Sequence, residues 1–180
     1  MERRRLTGVE RAALSVAWQV RAKGEIPVVF ASRWGEIGVT LKLMEQFHGD
    51  GEMSPAGFSA SVHNAAPGAF SLITGNHAPY TAIAARDRSL EAGLLETLAL
   101  NRSAIFVYAE EATPQFYAAE FGPLQKACAL AVRLEPSQNG ECEAVFRNTE
   151  CPPVAFDDAA AFFGGGLREL CAADFVLTQR

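Results

Sequence analysis

The chain of 180 residues predicts an α/β fold, a layered single domain over 1–180 with a mostly parallel central sheet and helices on both faces. Three observations predict it. Ile26–Ser32 (IPVVFAS) and Ser103–Ala109 (SAIFVYA) are short, uncharged, β-branched runs of the kind buried on both faces of a parallel sheet. Segments with apolar residues at helical spacing lie between and around them. The resulting order of strand, helix, helix, strand, helix, strand leaves crossover-length connections, which parallel strands need.

Thr7 caps a first helix running to about Lys23, with Leu6, Val9, Ala13, Val16, Ala17 and Val20 on one face and Gly24 as its stop. After the Ile26–Ser32 strand, Arg33-Trp34-Gly35 breaks the run. A helix follows from about Glu36 to His48, with Ile37, Leu41, Met44 and Phe47 as its apolar side, ended by Gly49-Asp50-Gly51. Phe58–Ile73 reads as one helix rich in Ala, Ser and Gly, kinked or divided at Pro67. Gly75-Asn76 ends it, and Tyr80–Ala85 reads as a short buried strand. The charged turn Arg86-Asp87-Arg88 leads to a helix from Ser89 to about Leu100, with Leu90, Leu94 and Leu98 as its stripe. Phe116–Gly122 is a short helix or loop. Ala127–Leu134 and Glu141–Phe146 read as a hairpin joined by a turn over Pro136–Gly140. Asp157 or Asp158 caps a last helix, interrupted by Gly164-Gly165-Gly166, and Asp174–Leu177 forms a terminal edge strand.

Composition narrows the chemistry. Hydrophobic residues make up 49% and charged residues 21%, with a net charge of −5. That is ordinary for a globular domain and argues against general nucleic-acid binding. No apolar run is long enough to span a membrane, and the charged start lacks the apolar segment of a signal peptide. Cys128, Cys142, Cys151 and Cys171 have no C-x-x-C spacing, and His48, His63 and His77 are scattered. The expectation is four reduced packing cysteines, no metal, no cofactor and a cytoplasmic location. Three glycines at 164–166 lack the preceding strand and following Lys-Ser/Thr of a phosphate loop. Glu110-Glu111, at the end of a parallel strand, is either an acid–base pair or a solvent-exposed strand end, and the second is favoured.

A strand turning sharply into a helix is a favoured seat for a nucleophile, because the helix N-terminus directs N–H groups at developing negative charge. Here the tip of that turn holds Arg86 and no Cys or Ser. A guanidinium keeps its proton and offers no lone pair for attack. Asp87 or Glu91 is in sequence reach to pair with it.

Ser54-Pro55, SVHNAAPG (Ser61–Gly68) with Phe70-Ser71, Pro79–Ala85, FASRWGEI (Phe30–Ile37), Leu94-Leu95-Glu96 and VYAEEATPQFY (Val107–Tyr117) together resemble the ketosynthases of fatty-acid and polyketide synthesis. The similarity is greatest to a short β-ketoacyl-synthase-like N-terminal-domain family, some members of which are described as chain length factors. It covers about four-fifths of the chain and implies the N-terminal half of a thiolase-like fold. Aligned on Tyr80, it puts Arg86 where ketosynthases carry the catalytic Cys, leaving no catalytic residue at that vacated position. It also implies that the half supplying two catalytic histidines is absent.

The resemblance therefore implies a non-catalytic partner, a pseudoenzyme of chain length factor type. Such a protein pairs as a heterodimer with an active ketosynthase and shapes its acyl tunnel in fatty-acid, polyketide or aryl polyene biosynthesis. In thiolase-like dimers the strand before the nucleophile pairs across the interface; here it comprises Tyr80, Thr81, Ala82, Ile83, Ala84 and Ala85. An unpaired apolar edge is an aggregation hazard that a partner would cover. Phe58, Ser61, Val62, His63, Asn64, Phe70 and Leu72 are candidates for the tunnel end. Ordinary core packing is the alternative for the aromatics, and a satisfied helix-start pair for His63-Asn64. Two other functions stay open. One is a small acyl-chain enzyme using Ser61 or Ser89 with His63 or His77 and Glu110 or Glu111. The other is a homodimeric module docking an acidic acyl carrier protein through Arg3, Arg4, Arg5 and Arg11.

Overall fold

The computed structural model describes residues 6–121, 126–136, 140, 142–146, 151–173 and 175–179. Helix α1 (Gly8–Val20) opens with a capping box: Thr7 Oγ1 accepts from the Glu10 N–H at 3.0 Å, and Thr7 N–H donates to Glu10 Oε2 at 2.8 Å. The helix stops short of Lys23, since Arg21 is already extended. Strand β1 (Val28–Ala31) is fully buried. Helix α2 (Ile37–Asp50) ends at Gly51 in the left-handed region (φ 69°), where its N–H reaches the Phe47 carbonyl.

The apolar side expected for α2 is corrected. Ile37 and Leu43 are buried, whereas Met44 and Phe47 are 57% and 55% exposed. Periodicity places residues on one face, but nothing described packs over the distal half of this one.

The single helix expected over Phe58–Ile73 is two. Helix α3 (Pro55–Ala60) is capped by Ser54, whose Oγ accepts from the Gly57 N–H, and helix α4 spans Ala65–Thr74. The break falls at 61–64, before Pro67. Pro67 lies in the first turn of α4, where its missing N–H would have had no intrahelical acceptor.

Strand β2 (Tyr80–Ile83) pairs with β1 in parallel, Val28 opposite Tyr80 and Ala31 opposite Ile83. It is exposed to half-buried rather than buried, because it is the outer strand of a sheet ordered β2-β1-β3-β4. A 3-10 turn (Arg86–Arg88) leads into α5 (Ser89–Ala99). Strand β3 (Ala104–Glu110) is buried along its length and parallel to β1. After a 3-10 turn (Gln115–Tyr117) and the short α6 (Ala118–Phe121), β4 (Cys128–Leu134) runs antiparallel to β3.

Two of the three pairings in this sheet are thus parallel. Alternation along β1 and β3 divides the core. Val28, Phe30, Ile105, Val107 and Ala109 face α1 and α4. Val29, Ala31, Phe106 and Tyr108 face α5 and the layer beyond it.

The hairpin expected from β4 and β5 (Cys142–Phe146) does not form. β4 covers the otherwise open edge of β3, and β5 joins a second, antiparallel sheet ordered β5-β7-β6, with β6 at Glu169–Cys171 and β7 at Phe175–Gln179. The terminal strand is therefore the centre of its sheet, not an edge; Asp174 lies outside the described residues.

Helix α7 (Phe156–Phe163) has Ala155 at its N-cap, with Asp157 and Asp158 in the first turn, where they act on the helix dipole rather than as caps. The glycines after it donate N–H groups to its own final carbonyls, Gly164 to Ala160 and Gly166 to Ala161, so they terminate a helix. The cysteine expectation is corrected too. Cys151 and Cys171 form a disulfide, and of the two free thiols Cys142 is exposed.

Candidate functional site

Strand β2 stops where the Ser32 N–H donates to the Ile83 carbonyl at 3.2 Å. Beyond it, Arg86 has φ 52°, one of two non-glycine residues with positive φ among those described. Such a conformation is strained for an L residue with a Cβ, and it turns the side chain outward at the strand–helix junction. Ser89 locks the turn: its buried Oγ donates to the Arg86 carbonyl at 2.7 Å and accepts from the Ala85 N–H at 2.9 Å. Replacing Arg86 with Gly should therefore stabilise the fold by about 1 kcal/mol, read as a melting temperature roughly 2–4 °C higher.

Arg86 is exposed, and the ion pair expected for it is corrected. Asp87 pairs with Arg33 at 2.9 Å, and Glu91 pairs with Arg88. Both carboxylates are thus taken by other arginines, and no described residue forms an ion pair with Arg86.

His63 reaches the same turn from the α3–α4 break. Its Nε2 donates to the Ile83 carbonyl at 3.0 Å, and its ring lies 5.7 Å from that of Phe30. Gly35 (φ +57°) makes the room: a Cβ there would come within 2.7 Å of His63 Nδ1. His63 is thus a strut between α3–α4 and the end of β2, not a helix-start pair. Asn64 occupies the N-cap position of α4 without a side-chain capping bond.

Glu110 overturns the favoured solvent-exposed reading. It is 2% exposed and accepts from the Arg33 N–H and from Ser32 Oγ. Burial pushes its carboxyl above the usual range, against the hydrogen bonds that favour the charged form. Glu111 accepts from the Gly38 N–H at 2.6 Å, in the first turn of α2. Glu36, missed as a notable residue, is 3% exposed and takes a 2.7 Å bond from Thr7 Oγ1. Its carboxyl is raised to about 7, by burial first and then by the Glu10 and Glu111 charges, with the Thr7 bond opposing. Thr7 as a helix cap was legible; no local pattern around Glu36 reveals that Thr7, Glu10 and Glu111 lie beside it.

The other candidates scatter. Phe70 is 4% exposed and belongs to the core beneath α1. Phe58 and Val62 are 58% and 41% exposed, and Ser61 Oγ donates to the Phe58 carbonyl. Leu72, Ile73 and Tyr80 expose apolar surface along α4 and the β2 edge. Ala84 and Ala85 fall just past the strand. The Ser–His–Glu group is not assembled: Ser61, Ser89, His63 and Glu110 each bond to other partners, and His77 is exposed. Arg11 is exposed and donates to the Leu6 carbonyl; Arg3, Arg4 and Arg5 lie outside the described residues. No described group of three or more His, Cys, Asp or Glu is arranged to hold a metal ion. No described helix is long and apolar enough to cross a membrane.

Among solved structures, the chain superposes on one from the complex of a ketosynthase (ApeO) with its chain length factor (ApeC) from Xenorhabdus doucetiae. The TM-score is 0.78 and the identity 22%, over 98% of this chain and 79% of that one. A chain of the ishigamide ketosynthase/chain length factor superposes with a TM-score of 0.59 and 14% identity, over 78% of this chain and 49% of that one. Among curated proteins no sequence matches. The likeness to the solved structures establishes the fold, a thiolase-like half-domain. The family profile described as "Beta-ketoacyl synthase, N-terminal domain" matches residues 1–159. With the strand–turn–helix frame in place and this match spanning most of the sequence, the chain belongs to the beta-ketoacyl synthase N-terminal domain family.

Proposed function

We propose that the chain is a non-catalytic ketosynthase-like partner of chain length factor type, which pairs with an active ketosynthase and bounds the tunnel holding its growing acyl chain. The observation that carries this is Arg86, a cation that cannot attack a thioester, at the left-handed tip of the turn after an outer strand. Two features support a pairing role for that strand. β2 has one open side, and the α4 residues beside it expose Leu72 (73%) and Ile73 (53%) together with Tyr80 (40%).

Co-expression with a ketosynthase from the same biosynthetic locus tests the proposal. The two chains should co-elute in size exclusion, and product chain length should depend on this chain. Leu72→Glu combined with Ile73→Glu should weaken pairing at least tenfold while leaving the melting temperature within about 2 °C, since both side chains are exposed. Failure to co-elute, with condensation and product length unchanged when this chain is omitted, would overturn the proposal.

Arg86→Cys should not confer condensation. A thiol there gains no histidine to work with: His63 is tied to the Ile83 carbonyl, and His48 and His77 are exposed. Radiolabelled malonyl-carrier turnover by the variant alone checks this, and measurable product would count against the partner role.

A further inference from the structure

Besides the Asp87–Arg33 pair, the turn that carries Arg86 is tied by Arg88 to the segment at Cys151. Arg88 ends the 3-10 turn and sits at the N-cap of α5. Its guanidinium donates in two directions. Nη1 goes to Glu91 Oε1 inside α5, and Nη2 goes to the backbone carbonyl of Cys151 at 3.1 Å. Glu91 is nearly buried (5% exposed), so the guanidinium is held on one side by a carboxylate that cannot move far.

The acceptor on the other side is held covalently. Cys151 lies in the stretch 151–155, which has no regular structure and leads into α7. Its sulfur is bonded to that of Cys171, 20 residues on, in strand β6. Cys171 stands opposite Val176 of β7, the central strand of the second sheet. The Cys151 carbonyl is therefore positioned by the small sheet, and the small sheet by the same bond holds the turn. Both sulfur-bearing residues are half-buried, so a small dithiol can approach them. The two other cysteines, Cys128 and Cys142, remain thiols.

We propose that the Cys151–Cys171 disulfide is a redox-sensitive clamp on the Arg86 turn. When the bond is intact, the Cys151 carbonyl stays where Arg88 donates to it. A dithiol reductant breaks the S–S bond by thiolate attack through a mixed disulfide. Cys151 and Cys171 each gain a proton and share the two electrons, and the reductant leaves as its cyclic disulfide. The segment over 151–155 is then released from β6, Arg88 loses its second acceptor, and the left-handed backbone at Arg86 loses an external restraint. The clamp stands on this geometry alone. Only its effect on pairing with a ketosynthase rests on the function proposed above.

The test uses the full chain with Cys128→Ser and Cys142→Ser, so that one cysteine pair remains. Alkylation under denaturing conditions without reductant should leave both residues unlabelled, and prior treatment with dithiothreitol should label both. Reduction should lower the melting temperature by roughly 5–10 °C. Hydrogen exchange of the amides at 86–91 should quicken about tenfold on reduction. In Arg88→Ala, that redox dependence at 86–91 should vanish, while the redox dependence in β6 and α7 persists. Full labelling of both residues without reductant would overturn the clamp. So would exchange that changes in β6 and α7 but not at 86–91. Ketosynthase pairing measured in both redox states separates the two proposals. Absence of pairing in either state counts against the partner function, and the exchange result still decides the clamp.

Discussion

Gly93→Ala lowers the stability of this protein, and Gly49→Ala raises it. Both glycines lie in helices, where exchange for Ala favours the folded state by up to about 1 kcal/mol through helix propensity and the unfolded chain's lost freedom. Their surroundings decide the sign. At Gly49, in the last turn of α2, an added methyl meets nothing within 4 Å. There the gain stands, at roughly 0.5 kcal/mol so near the helix end. At Gly93 the methyl would come within 2.6 Å of Ala31 Cβ and 2.6 Å of Phe106 Cε2. Ala31 and Phe106 are fully buried, on β1 and β3, beneath the point where α5 crosses the sheet. Neither can retreat without moving a core strand, so overpacking of about 1–3 kcal/mol exceeds the propensity gain. Gly93→Val should cost more than about 3 kcal/mol by the same contact, enough to unfold a marginal domain. Thermal denaturation of the three variants checks the order, and a Gly93→Ala protein melting above the parent would contradict it.

The second large effect concerns pH. Glu36 titrates near 7 in the folded chain and near 4.5 as an ordinary glutamate. Between those values the folded state binds the extra proton, so stability falls as pH rises. The contribution is fully present below about pH 4.5 and lost above about pH 7, a difference on the order of 3 kcal/mol. Glu110 acts in the same direction, because burial raises its carboxyl too. Glu36→Gln keeps an oxygen for the Thr7 hydroxyl to donate to and removes the charge beside Glu10 and Glu111. Its stability should match the parent near pH 5 and exceed it by roughly 2–3 kcal/mol near pH 8, with the residual slope belonging to Glu110. Urea midpoints at the two pH values measure this. A parent protein equally stable at pH 5 and pH 8 would refute it.

The sheet and its helices were largely legible because their signals are local. The uncharged runs Ile26–Ser32 and Ser103–Ala109 read as buried strands and contain β1 and most of β3, and Thr7 announced the start of α1. The turn at Arg86 was legible for the same reason, although its left-handed backbone was not. What failed depended on residues distant in sequence. A spacing that suits a hairpin says only that β4 and β5 are close along the chain; β3 and β7 outcompete each for its partner. A carboxylate at a strand end reads as solvated until the β1–α2 connection closes over Glu110 through Arg33 and Ser32. Met44 and Phe47 obey the helical period yet lie on a face without described cover. The pairing of Cys151 with Cys171 likewise has no signature in their spacing.

The position of β1 between its two parallel neighbours governs how the molecule assembles. Val28 meets Tyr80 on one side and Ile105 on the other, so both partners of this strand are more than fifty residues away in sequence. Folding must close loops of more than fifty residues before any ladder bond of β1 can form, whereas β3 and β4 meet across a much shorter connection; chains dominated by long-range contacts fold on the millisecond-to-second scale. β3, buried along its length and held by β1 and β4, is the partner whose docking returns the most. β2, exposed on one side, has the least to hold it in place. The order of assembly this implies is β3 with β4 first, then β1, and β2 last. The strand offered at the open edge is then also the first to leave, and a protein seated on it would stabilise the sheet at its weakest margin.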